Sequence, residues 1–315
     1  MENREIFHID LDYLYAQCEE IRNSKLKTKP VAVCIFSDRG EDSGAIATAN
    51  YKAREYGVKS GIPIKFAKAR LKDRKDAVFI PADFEYYSKI SISGMEIIKN
   101  FADIFEYVGR DEAYLDVTVK TNHNFETARH VAQQLKNEIR KKLKMTCSIG
   151  VSPNKLLSKI GSDFEKPDGL TVIKPDYISE FLSQLDIRNI PGIGKKTESN
   201  LAEKNCKKIN DLLNMDVFEL NSRFGRKTGT YIYNAARGID LELVKEKQPS
   251  LQYSKITTLK ENSKNYEFLS TNLLNLCKQI HDISIKNNKM FRTVSIQFVN
   301  AVSYTHLTLP TNREV

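Results

Sequence analysis

The chain has 315 residues, with 49 lysines and arginines against 40 aspartates and glutamates, a formal net charge of +9 and a pI near 9.1. This length predicts two or three domains at about 100–200 residues each, and 41% hydrophobic with 28% charged residues excludes a collagen-like, mucin-like or mostly disordered chain. The apolar runs are no longer than a strand, and the charged start MENREIFHID lacks an apolar signal core. We therefore expect neither a membrane span nor secretion.

The cysteines are odd in number and scattered, and no two of them form a CxxC pair. They are Cys18, Cys34, Cys147, Cys206 and Cys277. This pattern argues against a disulfide framework or a thiolate zinc site and favours the reducing cytoplasm. The modest positive excess is compatible with a polyanionic partner and does not decide for one.

The first half of the chain alternates strands and helices, as its hydrophobic periodicity indicates. Predicted strands cover 5–10, 30–36, 44–49, 77–80, 103–108, 113–119 and 145–152, and predicted helices cover 12–22, 50–57, 62–71, 83–101 and 125–143. With residues 11–79 treated as an insertion, the remaining order is βαββαβ, the ferredoxin-like layout. In that layout the first and third strands are antiparallel neighbours, so Asp10 is predicted to lie beside Asp111 and Glu112.

The second half is predicted to be helical over about 169–240, a region rich in lysine and asparagine. A linker follows, and then a strand at 254–260, a helix at 266–286 and a strand at 291–299. The fold class is therefore α+β.

Carboxylates that are gathered at one sheet edge repel each other unless a cation lies among them. Mg²⁺ prefers such oxygen ligands, and two ions about 3.5–4 Å apart can assist phosphoryl transfer. Asp10 ends a buried apolar strand, which favours a metal role, whereas Asp12 is predicted to be the N-cap of the following helix. Asp111 and Glu112 can serve one site only if the backbone bends, and the preceding Gly109 permits this.

Five motifs occur in one order: FHIDLDYLYAQCEE, GAIATANYKAREYGVKSGIPI, RDEAYLDVT, SIGVSPNKLLSKIGSDFEKPDGL and IPGIGKKT. Together they resemble the Y-family translesion DNA polymerases of the DinB, or DNA polymerase IV, type, with an archaeal character. The resemblance covers about residues 4–300. It implies a ferredoxin-like palm (1–10 and 80–168), inserted fingers (11–79), a helix-hairpin-helix thumb (169–240), a linker (241–249) and a partial α+β little finger (250–300).

The resemblance also implies the site residues. Asp10, Asp111 and Glu112 would hold two Mg²⁺ ions with help from the Leu11 carbonyl, and Glu112 would be nearest the primer hydroxyl. Incoming dNTP would meet the following side chains: Tyr13, Tyr15 (the steric gate against a ribose 2′-OH), Thr48, Tyr51, Arg54 and Lys159. Core packing is an alternative role for Tyr15, and both roles can hold together.

The segment IPGIGKK matches the hairpin of a helix-hairpin-helix. Gly192 and Gly194 would expose backbone N–H groups to a DNA phosphate at a helix N-terminus, and Lys195 and Lys196 would add charge. Such sequence-independent binding weakens with salt. A plain glycine turn between helices is the alternative for this segment alone.

Two features depart from the family pattern. Gly109 and Arg110 stand where the family has serine followed by isoleucine or valine, and we expect the strand to begin late so that Arg110 reaches solvent or a carboxylate. The segment 301–315 continues no recognisable element and suggests a non-native tail on a C-terminally truncated chain. The sliding-clamp peptide of full-length relatives would then be missing.

Three functions can be weighed against the sequence. The first is low-fidelity, template-directed DNA synthesis across damaged DNA by a monomeric enzyme with no separate block of acidic proofreading motifs. The second is a non-catalytic helix-hairpin-helix DNA-binding protein, or a truncated and inactive polymerase. The third, a metal-dependent sugar transferase that uses Asp-x-Asp, leaves the hairpin and the Asp-Glu pair unexplained.

Overall fold

The computed structural model describes residues 4–37, 39–40, 42–246 and 252–299. They divide into two compact units: the described residues of the first lie within the ranges 1–35 and 44–248, and those of the second lie within the ranges 36–43 and 249–315. The expectation for the tail at 301–315 and that for the end of the linker at 247–249 lie outside the described residues.

The elements of the described residues are as follows. The strands are β1 (Ile6–Leu11), β2 (Val31–Phe36), β3 (Gly44–Ala49), β4 (Val78–Pro81), β5 (Ile104–Tyr107), β6 (Glu112–Asp116), β7 (Cys147–Ser152) and β8 (Leu170–Val172). The helices are α1 (Leu14–Arg22), α2 (Tyr51–Arg54), α3 (Ile64–Arg70), α4 (Phe84–Lys99), α5 (Phe125–Leu143), α6 (Lys155–Phe164), α7 (Ile178–Ser183), α8 (Lys195–Ala202), α9 (Val217–Phe224), α10 (Arg226–Ala236) and α11 (Tyr266–Lys286). None of these helices is long and apolar enough to cross a membrane.

The larger sheet has the strand order β5-β6-β1-β7-β8, and β1 pairs antiparallel with both β6 and β7. Along the chain, the elements that build this sheet and cover it follow the order β1-α4-β5-β6-α5-β7, which confirms the predicted βαββαβ layout. The edge strand β8 runs parallel to β7 and lies in the region that the sequence predicted to be helical. A three-residue strand is too short to give a periodic signal, and it forms because β7 offers a free edge.

The two faces of β1 differ because successive side chains of a strand point to opposite sides. Phe7, Ile9 and Leu11 join the apolar core formed with residues of α4 and α5. His8 and Asp10 therefore point to the other face, where His8 contacts Ser162 of α6.

Helix α6 lies very close to β7, and Gly150 permits this approach. A Cβ added at Gly150 would lie 1.9 Å from the carbonyl oxygen of Ser158 and 2.5 Å from the backbone nitrogen of Ser162. The glycine therefore sets how closely the residues of α6 approach the sheet face that carries His8 and Asp10.

Two further apolar clusters lie in the same unit. The smaller sheet, of order β3-β2-β4, packs on α3 through Cys34, Ile46 and Ile64. The region of α7 to α10 has its own core, which includes Leu201, Leu220 and Ile232. Each cluster contains buried apolar side chains from several elements, as an independently packed subdomain requires.

The second unit contains α11, whose predicted bounds of 266–286 are confirmed. The two strands predicted beside it, at 254–260 and 291–299, are wrong, since neither segment forms a strand in the described residues. Their apolar side chains remain largely in solvent, with Ile256 90% and Val294 73% exposed. Alternation of apolar residues indicates a preference for β structure but supplies no neighbouring strand to pair with.

We expect Gly150→Ala to lower the free energy of unfolding by roughly 1–3 kcal/mol, as overpacking of a tight interior contact does. The added methyl group meets backbone atoms of α6, which no side-chain rotation can relieve. Urea-induced unfolding followed by circular dichroism measures the change.

Gly194→Ala is the matched control, because nothing lies within 4 Å of a Cβ placed there. Its unfolding free energy should fall by no more than about 1 kcal/mol, the cost of alanine in place of glycine at the N-cap of α8. Equal midpoints for the two variants would show that α6 does not depend on the missing Cβ of Gly150.

Candidate active site

The three predicted carboxylates are brought to one edge of the larger sheet by the pairing of β1 with β6. Asp10 and Glu112 face each other as Cα partners in this pairing. Asp111 precedes β6, and its carbonyl oxygen accepts a hydrogen bond of 2.8 Å from the backbone N–H of Leu11. The predicted meeting of the C-terminal end of the first strand with the start of the third is confirmed at the level of the backbone.

The chain bends over residues 109–111 before β6 begins. The backbone N–H groups of Val108 and Gly109 both donate to the carbonyl oxygen of Glu112, at 3.2 and 3.1 Å. Asp111 therefore lies in the bend and Glu112 in the strand, which confirms the predicted departure from regular alternation. Arg110 is exposed, as expected from a late strand start.

Lysine side chains contact two of the three carboxylates. The Nζ atom of Lys166 lies 2.5 Å from Oδ2 of Asp10 and 2.7 Å from Oδ1 of Asp163. The Nζ atom of Lys159, on α6, lies 2.7 Å from Oε1 of Glu112. With these contacts in place, no three His, Cys, Asp or Glu side chains of the described residues are arranged as a metal-holding group.

The electrostatics nevertheless fit a cation among the carboxylates. Burial, together with the negative charges of Asp111 and Glu112, raises the pKa of Asp10 to about 6 against the opposing effect of Lys166. Partial desolvation of its carboxylate, together with the charge of Glu112, also raises the pKa of Asp111. Because a nearby positive charge favours ionised carboxylates, and because the donors are all oxygens, these residues suit a hard divalent ion.

His8 is a buried residue of this site that the sequence motifs did not indicate. Its Nδ1 atom lies 2.7 Å from Oγ of Ser162, and that hydroxyl donates its single hydrogen to the carbonyl oxygen of Lys159. Nδ1 therefore carries the proton, and Nε2 faces the Nζ atom of Lys159 at 3.5 Å. Burial and the charges of Lys159 and Lys166 lower the pKa of His8 well below its usual value, so the ring is neutral.

Asp12 does not cap α1, and this prediction is wrong. Its carboxylate instead accepts hydrogen bonds from Oγ of Ser148 at 2.7 Å and from the backbone N–H of Asp168 at 2.9 Å. Tyr13 occupies the N-cap position in a left-handed conformation, with φ of 36°. Asp12 is buried, and donors on β7 and in the loop before β8 occupy its carboxylate. The side chain therefore does not turn back to the first N–H groups of α1.

The residues expected to meet the nucleotide do not form one cluster, since Lys159 lies at the carboxylates and the others lie elsewhere. Tyr13 and Tyr51 make an edge-to-face contact at 5.3 Å, and the guanidinium of Arg54 lies 4.7 Å from the ring centre of Tyr51. Thr48 is half-buried on β3. Tyr15 belongs to a separate aromatic group, in which it stacks on a tyrosine ring of α4.

The predicted hairpin leads into α8. Gly192 has φ of +85°, a conformation that glycine adopts without strain, and Gly194 is the N-cap of α8 with no side-chain cap. Lys195 and Lys196 are exposed in the first turn. Open N–H groups and two lysines at a helix N-terminus form an arrangement that can bind an anion.

The sequence matches the model of the impB/mucB/samB family over residues 9–163 and that of the DNA polymerase-iota thumb domain over residues 188–240. It is 64% identical to DNA polymerase IV of Nitrosopumilus maritimus over 96% of this chain and 83% of that protein. DNA polymerase IV 1 of Methanosarcina mazei is 39% identical with the same coverage.

The fold is similar to a Y-family DNA polymerase chimera, Dbh-Dpo4(243-245)-Dbh, with a TM-score of 0.82 and 37% identity over 88% of this chain and 80% of the chimera. DinB from Sulfolobus solfataricus gives a TM-score of 0.73 at 36% identity, with the same coverage. The chain belongs to the Y family of DNA polymerases, in its DinB branch.

The motifs of this Y-family chain contain site residues that sequence reasoning missed. Lys166 and Asp163 lie within the stretch SIGVSPNKLLSKIGSDFEKPDGL, and neither was predicted to have a role. His8 could have been found by alternation along β1, because it shares the face of Asp10.

The pKa of Asp10 predicts a pH-dependent stability. Its folded-state pKa of about 6 exceeds the ordinary value of 3.8, so the folded form binds more protons between these values. The stabilisation that protonated Asp10 gives to the folded state is fully present below about pH 4 and is lost as the pH rises through 6. In EDTA, we expect the wild-type protein to lose roughly 3 kcal/mol relative to Asp10→Asn over this range, at about 1.4 kcal/mol per pKa unit.

Urea unfolding from pH 4 to pH 7.5 measures this difference, and Asp176→Asn, which changes an exposed carboxylate, serves as the control. Parallel stability curves for wild type and Asp10→Asn would contradict the expected pKa.

Proposed function

We propose that Asp10, Asp111 and Glu112 bind two Mg²⁺ ions in this DNA polymerase, with the carbonyl oxygen of Leu11 as a further ligand. The single observation that carries the assignment is the β1–β6 register, which opposes Asp10 and Glu112 and ties Asp111 to Leu11. The raised pKa values of Asp10 and Asp111 support it, because three negative charges at one sheet edge favour a bound cation.

The reaction is template-directed synthesis across damaged DNA. The primer 3′-hydroxyl attacks the α-phosphate of a dNTP, a new phosphodiester bond forms, and the bond to pyrophosphate breaks. Two divalent ions, when bound, would activate the attacking hydroxyl and stabilise the leaving oxygen. Glu112 is assigned the place nearest the primer hydroxyl.

Lys159, Tyr51 and Arg54 are assigned to the triphosphate. A lysine point charge and an arginine fork both suit phosphate oxygens. Lys159 contacts Glu112 and faces the neutral ring of His8, so its ammonium is held at the carboxylate edge without repulsion from a charged histidine. Arg54 is oriented by a hydrogen bond of 2.9 Å from its Nε to the carbonyl oxygen of Ala49.

Tyr15 is assigned to the steric gate that excludes a ribose 2′-hydroxyl, and Tyr13 and Thr48 to further nucleotide contacts. The small residues of β3, among them Gly44, Ala45 and Ala47, would leave room around the nascent base pair. An open pocket of this kind accords with lesion bypass, low fidelity and a lack of proofreading.

Primer-template DNA would be held by the hairpin at Gly192, Gly194, Lys195 and Lys196, independently of sequence. The palm, fingers, thumb, linker and little-finger bounds given above and a monomeric state are retained as predictions, and a sliding-clamp contact is retained as a prediction for full-length relatives only. A cytoplasmic location is inferred from the five free cysteines. The non-catalytic DNA-binding alternative is not favoured, since the family match covers the sheet that carries the carboxylates as well as the hairpin.

We expect Asp111→Ala to abolish primer extension with Mg²⁺ and to leave duplex binding within about 3-fold, since loss of one ligand removes catalysis and not the phosphate contacts of the hairpin. A primer-extension gel on undamaged and abasic templates, with Mg²⁺ and with EDTA, measures the first. Fluorescence anisotropy measures the second.

Asp176→Ala is the control, because it removes an exposed carboxylate outside the candidate site. Extension by Asp111→Ala at the control's rate would remove Asp111 from the metal site. Extension by neither wild type nor control would favour the DNA-binding alternative.

The hairpin assignment predicts a change in salt dependence. The double substitution of Lys195 and Lys196 by alanine should lower the slope of log K against log salt by about 0.9 for each duplex phosphate that the protein no longer neutralises. Anisotropy titrations over a range of KCl concentrations give this slope. Lys89→Ala serves as the control, since Lys89 pairs with Glu85 on α4. An equal slope in wild type, the double variant and Lys89→Ala would exclude the hairpin as the DNA-binding element.

A further inference from the structure

Arg110 stands immediately before Asp111, in the bend over residues 109–111. The backbone there is held from α4, since Oγ of Ser91 donates a hydrogen bond of 2.5 Å to the carbonyl oxygen of Arg110. The start of the Arg110 side chain is therefore fixed relative to both Asp111 and α4.

The guanidinium of Arg110 reaches an aromatic group rather than a carboxylate. One of its terminal nitrogens donates to the hydroxyl of Tyr15 at 3.4 Å, and its central carbon lies 5.4 Å from the ring centre of Phe84. Within the described ranges, Arg110 forms no ion pair with an acidic side chain. Its contacts are therefore those of a cation that steadies aromatic rings.

Two neighbouring rings already hold the ring of Tyr15. It stacks on Tyr87 at 4.8 Å with 17° between the planes, and it meets Phe84 edge to face at 5.7 Å. Tyr87 is itself fixed, because it is fully buried and its hydroxyl donates to Glu19 at 2.8 Å. These contacts fix the position of the ring, and Arg110 holds its hydroxyl end.

A steric gate excludes a ribose 2′-hydroxyl only if its aromatic ring stays in place when the hydroxyl presses against it. A ring that is held at one face and one edge can still tilt at its free end, whereas a donor on the hydroxyl opposes that tilt. A single exposed hydrogen bond as long as 3.4 Å lies at the weak end of the range and changes an equilibrium or rate by roughly 2- to 5-fold.

We propose that Arg110 is a positioning residue for sugar selection, which holds the hydroxyl of Tyr15 and so increases the preference for deoxyribonucleotides over ribonucleotides. The proposal rests on the gate role assigned to Tyr15.

The test measures kcat/KM for dCTP and for CTP opposite a template guanine, with the full chain, in wild type, Arg110→Met, Tyr15→Phe and the double variant. We expect the dCTP-to-CTP ratio to fall about 2- to 5-fold in each single variant. The double variant should fall no further, because both single changes remove the same hydrogen bond. Arg110→Lys should recover part of the ratio, since an ammonium can donate to the same hydroxyl.

Two more variants separate failure of the inference from failure of the assignment beneath it. Tyr15→Ala removes the ring and should lower the ratio more than any other variant; an unchanged ratio there would overturn the gate role itself. If Tyr15→Ala lowers the ratio but Arg110→Met does not, or if the losses in the double variant add, the role of Arg110 is overturned. Arg129→Met, which changes an exposed arginine of α5, should keep the wild-type ratio.

Discussion

The site depends on one pairing, in which β1 and β6 place Asp10 and Glu112 opposite each other. Like charges at facing positions of neighbouring strands destabilise a sheet, and burial of Asp10 adds to this cost. Lys166 and Lys159 offset part of it through direct contacts with these carboxylates. The fold therefore accepts a locally unfavourable pairing and offsets it with lysine ammonium groups, an arrangement that accords with the proposed site for metal ions and phosphates.

The position of Lys159 depends on how closely α6 lies against the sheet. Gly150 lets the backbone of α6 approach at Ser158 and Ser162, a distance that a Cβ would not allow. The same approach brings Ser162 to His8 and Lys159 to Glu112. A glycine on the strand beside β1 thus helps to set the charge balance of the carboxylates, although it touches none of them.

Much of this could be predicted from the sequence, because periodicity carries it. The apolar stripe of α5 indicated its bounds, and the βαββαβ order predicted the meeting of Asp10 with Asp111 and Glu112. A shared site required a bend before Glu112, which Gly109 permits. The failures have physical causes that a periodic pattern does not contain. Asp12 resembles a helix cap but binds Ser148 and the backbone of Asp168, which are distant in sequence, and the segments beside α11 have strand-like alternation without a strand to pair with.

The bend at residues 109–111 links two requirements of the site that could otherwise vary independently. It turns Asp111 out of the strand register toward the carboxylate edge, and it sends Arg110 toward Tyr15. Since the hydrogen bond from Ser91 fixes the carbonyl of Arg110, a shift of this backbone would move a proposed metal ligand and the support of the proposed gate together. Placement of the reacting phosphate and selection of the sugar are therefore expected to depend on one short segment, anchored to α4.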